Sequence, residues 1–170
     1  PRDISLAMQP GGSLSLAAAD ITLQDGSSLI AAAGCISLQA WNVSSSEVAA
    51  LNAYNSATDI LVVPVYDYSR GQIWVESGAR ISTAGSWVQD VDGSPVAIKG
   101  GSITLAGSTV RLAADSVLDV SGGVEVSAGK KITYGNAGSI TLRSGQAVDN
   151  AKKLGQAIGA GYVIGGSLQL

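Results

Sequence analysis

The side chains of this chain that could do acid–base chemistry are carboxylates and arginines near the middle of the sequence. Asp90 and Asp92 are separated by one residue, so both point to the same side of an extended segment. Enzymes that cleave polysaccharides use a pair of carboxylates, or a carboxylate beside an arginine such as Arg70 or Arg80, as catalytic groups. The run Asp-x-Asp-Gly-Ser-Pro is also typical of a solvated turn, and we favour the turn. Catalysis by Asp90 and Asp92 is the alternative hypothesis, and Asp67 and Glu76 are the other candidate carboxylates.

Other kinds of reactive or metal-binding site find little support in the sequence. The chain has no histidine and one cysteine, Cys35, which therefore lacks a histidine to activate it. The same composition argues against zinc or iron. Asp90 and Asp92 could contribute oxygen ligands to calcium, but the further spaced acidic residues of a calcium loop are missing. We expect no catalytic residue, no metal and no cofactor.

Aromatic residues gather in or beside two irregular stretches of the chain. Aromatic side chains on loops can stack on sugars or dock a protein. The simpler interpretation is that they pack their loops against the rest of the domain. The candidate ligand-binding surface consists of Tyr66, Tyr68, Trp74 and Trp87.

A short repeat indicates which elements must position these side chains. The sequence Gly-Ser-Ile-Thr-Leu at residues 101–105 recurs at residues 138–142. Each copy is a turn glycine, a small polar residue and an apolar/polar/apolar triplet, which is the period-2 pattern of a strand with one buried face. Several copies in one chain predict a repeat architecture. Looser copies occupy residues 12–16, 34–38 and 166–170.

The spacing of the copies predicts an all-β fold, a parallel β-helix. Leu14 and Ile36 occupy equivalent positions 22 residues apart, and three short apolar/polar strands fit into that interval. One such coil buries too little apolar surface to be stable alone, so neighbouring coils must stack. A β-hairpin meander is the competing prediction, but the Asp-Gly pairs that favour hairpin turns occur only at Asp25-Gly26 and Asp92-Gly93.

Three insertions interrupt this rhythm. In the first, Ser44-x-x-Glu47 is a capping-box pattern and predicts a helix from Ser45 to Asn55. In the third, a short helix is expected around Ala147 to Leu154. The insertions span residues 41–70 (part helical), 84–97 (a loop) and 144–165.

The charge of the chain limits its possible partners, and its two ends indicate that it is part of a larger protein. The net charge is −3 without a basic stripe, which argues against nucleic acid and anionic membranes as partners. The chain opens at Pro1 without a methionine and closes inside a copy of the repeat. We therefore interpret residues 1–170 as a single segment of a larger protein.

Some of the repeats resemble those of a known family. Residues 100–105, 114–123 and 135–142 are similar to the repeats of filamentous-haemagglutinin-like bacterial exoproteins, and the resemblance is best over residues 11–40 and 72–142. It implies secretion through an outer-membrane transporter partner and folding outside the cell as a long right-handed β-helix. It also implies work as an adhesin or as the stalk of a contact-dependent toxin. The family offers no catalytic residues to carry over.

The main hypothesis is therefore a non-catalytic, adhesive or structural segment of a secreted protein at the bacterial outer-membrane surface. Its expected partner is a glycan or protein on a host or neighbouring cell. The competing hypotheses are a β-helical polysaccharide lyase or hydrolase and a passive spacer that binds nothing. Open strand edges also predict end-to-end self-association.

Overall fold

A computed structural model shows a chain made mostly of β-strands. It describes residues 5–7, 9–58, 62, 67–89, 98–148, 152–153, 156–157, 162–164 and 167–170. In chain order the elements are β1 (Ser5–Ala7), β2 (Ser13–Ala18), β3 (Asp20–Leu23), β4 (Ser28–Ile30), β5 (Cys35–Ala40), α1 (Ser45–Thr58), β6 (Gln72–Val75), β7 (Arg80–Ser82), β8 (Trp87–Gln89), β9 (Ser102–Gly107), β10 (Thr109–Leu112), β11 (Val117–Asp119), β12 (Val124–Val126), β13 (Ile132–Tyr134), β14 (Ser139–Ser144), β15 (Gln146–Val148), β16 (Lys152–Lys153), β17 (Gln156–Ala157), β18 (Tyr162–Ile164) and β19 (Ser167–Gln169).

From β1 to β12, consecutive strands of the chain enter different sheets. Sheet 1 has the order β1-β4-β7-β11, sheet 2 the order β2-β5-β9-β14, and sheet 3 the order β3-β6-β10-β19. All strand pairs in these three sheets are parallel. Sheet 4 has the order β8-β12-β13.

Sheet 2 brings four copies of the repeat side by side. Ser13 pairs with Cys35, Cys35 with Ser102, and Ser102 with Ser139, all in parallel register. This confirms the prediction that neighbouring copies lie adjacent and run in one direction. The fifth copy departs from it, because β19 pairs with β10 in sheet 3 instead of β14 in sheet 2.

The turn glycine of the repeat is explained by a close backbone contact. The amide of Ser102 donates to the carbonyl oxygen of Gly34 at 2.9 Å, and the amide of Ser139 donates to that of Gly101 at 3.0 Å. A Cβ atom at Gly101 would overlap the carbonyl oxygen of Gly34, and one at Gly138 would overlap that of Gly101. Glycine is therefore required because neighbouring backbones touch there.

The apolar residues of the triplets face inward and form one core. Ile36 and Ile103, in the central strands of sheet 2, are at most 1% exposed. Leu16 and Ile140, inward-facing residues of the two outer strands, are 40% and 41% exposed, since no described strand pairs with the outer edge of β2 or of β14. The buried cluster is Ile21, Leu23, Ala31, Ile36, Leu38, Ala40, Ile73, Val75, Ala79, Ile81, Ile103, Leu105 and Val110.

The helix of the first insertion begins at Ser45, as predicted, and ends at Thr58, three residues beyond the predicted end at Asn55. The predicted capping box is present. The amide of Glu47 donates to Ser44 Oγ at 3.2 Å, and the amide of Ser44 donates to Glu47 Oε2 at 2.7 Å. These contacts satisfy two amides that the first helical turn leaves without partners.

The helix expected around residues 147–154 is wrong. Strands β15 and β16 occupy the described residues of that segment, and β15 pairs antiparallel with β18. Pairing with a distant strand satisfies the backbone that the local sequence would otherwise place in a helix.

A second departure from parallel pairing is the hairpin of β12 and β13. Its turn places Lys130 at a φ of 60°. The competing meander prediction therefore describes this stretch and the pair β16 and β17, which are also consecutive and antiparallel.

The first and third insertions leave the sheets at equivalent places. One connects β5 to β6 and the other connects β14 to β19, so both run from sheet 2 to sheet 3. The same step is made directly from β2 to β3 and from β9 to β10, across Ala19 and Ser108 respectively. The β9–β10 connection, which carries no insertion, therefore lies between the two connections that carry one; we call it the plain corner.

Among the described residues no helix is long and apolar enough to cross a membrane.

Candidate functional site

The predicted surface residues do not come together: one lies in a turn, two lie in different sheets, and one lies outside the described residues. Tyr68 is 84% exposed in the turn before β6, and Trp74 on β6 is 42% exposed. Trp87 is 81% exposed on β8, in sheet 4. Tyr66 lies outside the described residues, as do Asp90 and Asp92 of the alternative catalytic pair.

Trp74 is part of a row of side chains on the outer face of sheet 3. In register it lies between Thr22 and Arg111. The Arg111 guanidinium carbon is 5.6 Å from the centre of the Trp74 ring, and Arg111 Nε donates to Gln169 Oε1 at 2.6 Å. This is a cation–π contact that covers one exposed aromatic ring.

Trp87 belongs to a second aromatic row. Val124 lies between Trp87 and Tyr134 in register, so the three side chains share one face of sheet 4. Tyr134 is 74% exposed and Ile132, two residues before it, is 53% exposed. Tyr134 and Ile132 were not among the predicted site residues, because they lie outside the two irregular stretches on which that prediction rested.

The described carboxylates of the acid–base hypothesis have partners in turns and strands. Asp67 Oδ1 accepts from the amide and the hydroxyl of Ser69 at 2.8 and 2.6 Å, and these bonds lower the pKa of Asp67. Glu76 Oε2 accepts from the amide of Asp25 at 3.1 Å. Both side chains therefore fasten backbone turns.

The two arginines of that hypothesis form ion pairs. Arg70 Nη1 lies 2.9 Å from Glu47 Oε1. The Arg70 hydrogen bond, followed by that of Ser44, lowers the pKa of Glu47 to about 2. Arg80 pairs with Asp119, whose pKa is lowered chiefly by hydrogen bonds from Ser121.

Asn42 fastens the base of the first insertion. Its side-chain Nδ2 donates to the carbonyl oxygens of Asp67 and Arg70 at 2.6 and 3.0 Å, and its Oδ1 accepts from the amide of Asp67 at 3.1 Å. Asn42 is 1% exposed. The start and end of the insertion are thereby joined by one buried amide side chain.

Gln146, at the start of the third insertion, binds the first one. Its Oε1 accepts from the amides of Asn42 and Val43 at 2.9 and 3.1 Å, and its Nε2 donates to the carbonyl oxygen of Val43 at 2.7 Å. Gln146 is 8% exposed, so these bonds are shielded from water. Helix α1 also lies against β16. The two insertions therefore form one connected body at this side of the sheets.

An open cleft of about 630 Å³ lies where the two insertions leave sheet 2, and we call it the corner cleft. Its floor is Ala106 and Gly107 of β9, whose corner carries no insertion. In register, Ala106 lies between Gln39 of β5 and Arg143 of β14, and its smaller side chain leaves a trough between theirs. The lining residues are Gln39, Ala40, Trp41, Ala106, Gly107, Leu142, Arg143, Ser144, Gly145 and Gln146.

The corner cleft combines an aromatic ring, an amide, a hydroxyl and a cation. Trp41 and Gln39 are partly exposed, and Arg143 and Ser144 are exposed. Such a mixture suits a small polar ligand with one apolar face. Sequence reasoning missed Arg143 and Gln146. A signal existed for Arg143, since aligning the repeat copies puts it in register with Gln39 and Ala106.

No metal centre is visible in the part of the chain that the structure describes. It contains no group of three or more histidine, cysteine, aspartate or glutamate side chains able to hold an ion. Cys35 is exposed on the outer face of sheet 2 and accepts a hydrogen bond from Ser102 Oγ at 3.2 Å.

Comparison with known proteins yields no match to a family model, to a curated protein sequence or to a solved structure.

Proposed function

We propose that this chain is a non-catalytic segment of a large secreted exoprotein of the bacterial outer-membrane surface, acting as an adhesin or stalk. The observation that carries the proposal is the parallel, in-register alignment of four repeat copies in sheet 2. It fits the resemblance to filamentous-haemagglutinin-like exoproteins. The full-length protein would use an outer-membrane transporter partner for export.

The proposed architecture is a right-handed parallel β-helix. From β2 to β5 the chain visits sheets 2, 3 and 1 in turn and then returns to sheet 2. The next two circuits keep this order, with β8 or with β12 and β13 of sheet 4 added before the return. A chain that advances by one strand position per circuit winds around an axis. Right-handed crossings are strongly preferred between parallel strands. A crystal structure of the chain tests this, and a left-handed path or a flat layered sheet would contradict it.

In this proposal the coils supply length and the insertions supply contact. The partner is a glycan or protein on a host or neighbouring cell. Support comes from the connected body that α1, the Asp67–Arg70 turn and the third insertion form beside otherwise plain strands. Protruding surfaces on a rigid scaffold are the usual places for binding.

The test compares the chain with a variant in which residues 41–71 are replaced by one serine. That copies the corner at Ser108 between β9 and β10. We expect the chain to bind host cells or a glycan array, and the variant to keep its β-rich circular dichroism but lose most binding. A chain that binds nothing would contradict the adhesin proposal. Turnover of a polysaccharide that Asp92→Asn abolishes would contradict the non-catalytic proposal.

A further inference from the structure

The corner cleft carries a positive charge in a chain whose net charge is negative. Arg143 makes no ion pair or hydrogen bond among the described residues. By contrast, Arg70 and Arg80 pair with carboxylates, and Arg111 contacts Trp74 and Gln169. None of the residues that line the cleft carries a carboxylate. The cleft is therefore suited to an anion.

The shape and chemistry of the walls narrow the class of anion. A volume of about 630 Å³ holds one or two sugar rings. Trp41 offers an aromatic surface for the apolar face of a ring, while Gln39 and Ser144 offer hydrogen bonds to hydroxyl groups. The arginine fork matches the geometry of a carboxylate.

The cleft is also held in shape before any ligand arrives. Gln146 binds the backbone of the residues that directly follow Trp41, and the amide of Trp41 donates to the carbonyl oxygen of Ala18 at 2.9 Å. The floor belongs to β9, in the centre of sheet 2. A rigid cleft loses little conformational freedom on binding.

We propose that the corner cleft binds a carboxylated sugar, such as a hexuronate residue of a cell-surface glycan, with Arg143 holding the carboxylate and Trp41 stacking on the ring. This inference rests on the proposed adhesive function and names the ligand class of that function.

The experiment titrates the chain with sodium glucuronate, glucose and sodium acetate, and follows the indole N–H of Trp41 by NMR. We expect glucuronate to bind with a Kd of about 1–10 mM, and both glucose and acetate to bind at least about tenfold more weakly. Equal affinity for glucuronate and glucose would overturn the carboxylate contact. Equal affinity for glucuronate and acetate would overturn the sugar contact, and no glucuronate binding would overturn the site.

Two variants separate the cleft from general charge effects. Arg143→Gln is expected to weaken glucuronate binding at least about tenfold. The matched control Arg111→Gln removes an arginine from the outer face of sheet 3 and is expected to change the affinity by less than about twofold. An equal loss in both variants, or no loss in Arg143→Gln, would overturn the inference.

Adhesion to cells is measured with the same variants. Adhesion by the unaltered chain that Arg143→Gln preserves would overturn the ligand site while leaving the proposed function intact. Absence of adhesion by the unaltered chain, together with glucuronate binding, would contradict the proposed function and support the site.

Discussion

At the scale of single residues, the glycine before each strand of sheet 2 has a steric task. Its carbonyl oxygen receives the amide of the next copy, and the next copy's glycine lies against that oxygen. Any side chain there would push two strands apart along the whole sheet. The small polar residue that follows the glycine can vary, as Cys35 shows where other copies have serine.

We predict that Gly101→Ala lowers the free energy of unfolding by about 3 kcal/mol, because the added methyl overlaps the Gly34 carbonyl. Urea unfolding measures the loss. Gly129→Ala is the control: a Cβ there meets no atom within 4 Å, and we expect a change below about 0.5 kcal/mol. Similar effects at both positions would contradict the close-contact explanation.

A second prediction at this scale concerns acid. The pKa of Glu47 is about 2 in the folded chain, against an ordinary value of 4.5, chiefly because of Arg70 and then Ser44. A lowered folded pKa means that the stabilising contribution is complete above about 4.5 and disappears as the pH falls through about 2. The stability difference between the unaltered chain and Glu47→Gln should therefore shrink between pH 5 and pH 2. A pH-independent difference in urea unfolding would contradict this.

At the scale of elements, Gln146 couples two insertions that are far apart in sequence. Removing its side chain leaves two buried amides and one carbonyl of Asn42 and Val43 without these partners. We predict that Gln146→Ala costs about 2–4 kcal/mol. Hydrogen exchange should become faster in residues 42–58, whereas the control Gln39→Ala, a partly exposed glutamine on β5, should leave it unchanged. Faster exchange in both variants would show that the glutamine contacts are not the cause.

The position of a strand within its sheet sets the cost of truncating a core side chain. Ile103 in the central β9 is 0% exposed, and its equivalent Ile140 in the outer β14 is 41% exposed. We expect Ile103→Ala to cost about 4 kcal/mol and Ile140→Ala about 2 kcal/mol or less. Equal costs in urea unfolding would mean that another strand or molecule covers β14 in solution.

Most of the strands of sheet 2 and the start of α1 could be predicted from the sequence, whereas the elements of the third insertion could not. The period-2 triplets and the glycine spacing correctly predict that four repeat copies lie in parallel, and the capping box correctly predicts where α1 begins. The helix predicted around residues 147–154 is wrong because β15 pairs with β18, which is distant in sequence. Local sequence patterns do not reveal such a partner. The fifth copy has the triplet pattern of the others, but its strand β19 pairs with β10 in sheet 3, and the repeat pattern alone does not choose between sheets.

The candidate site was less predictable than the fold. Its parts come from β5, β9 and β14, which are distant in sequence, and the small floor residue Ala106 matters only because of its neighbours in register. Aromatic residues in loops can be identified from the sequence alone. Arg143 can be identified as a site residue only after the strands of sheet 2 are aligned in register.

At the scale of the whole molecule, the outer strands leave apolar side chains in contact with water. Leu16 on β2 and Ile140 on β14 are the clearest cases, at opposite edges of sheet 2. Both strands carry the repeat pattern, so β14 of one copy could pair in parallel with β2 of the next.

We therefore predict concentration-dependent association of this chain, measured by sedimentation velocity. Leu16→Lys and Ile140→Lys should each reduce it, because a buried lysine at the junction is costly. Ser15→Lys and Thr141→Lys, which change the outer face of the same strands, are the controls. A strict monomer at high concentration, or equal effects of inner and outer lysines, would contradict this prediction.

The Gln146 contact has a consequence for protein engineering. A foreign loop grafted between β5 and β6 would have to reproduce the backbone at positions 42 and 43 that this glutamine binds, even though the glutamine belongs to a distant segment. Swapping either loop alone should lose the Gln146 contacts and so lower the stability of the chimera. Transplanting both loops together, with the β9–β10 connection that lies between them, should carry the corner cleft intact to a new scaffold.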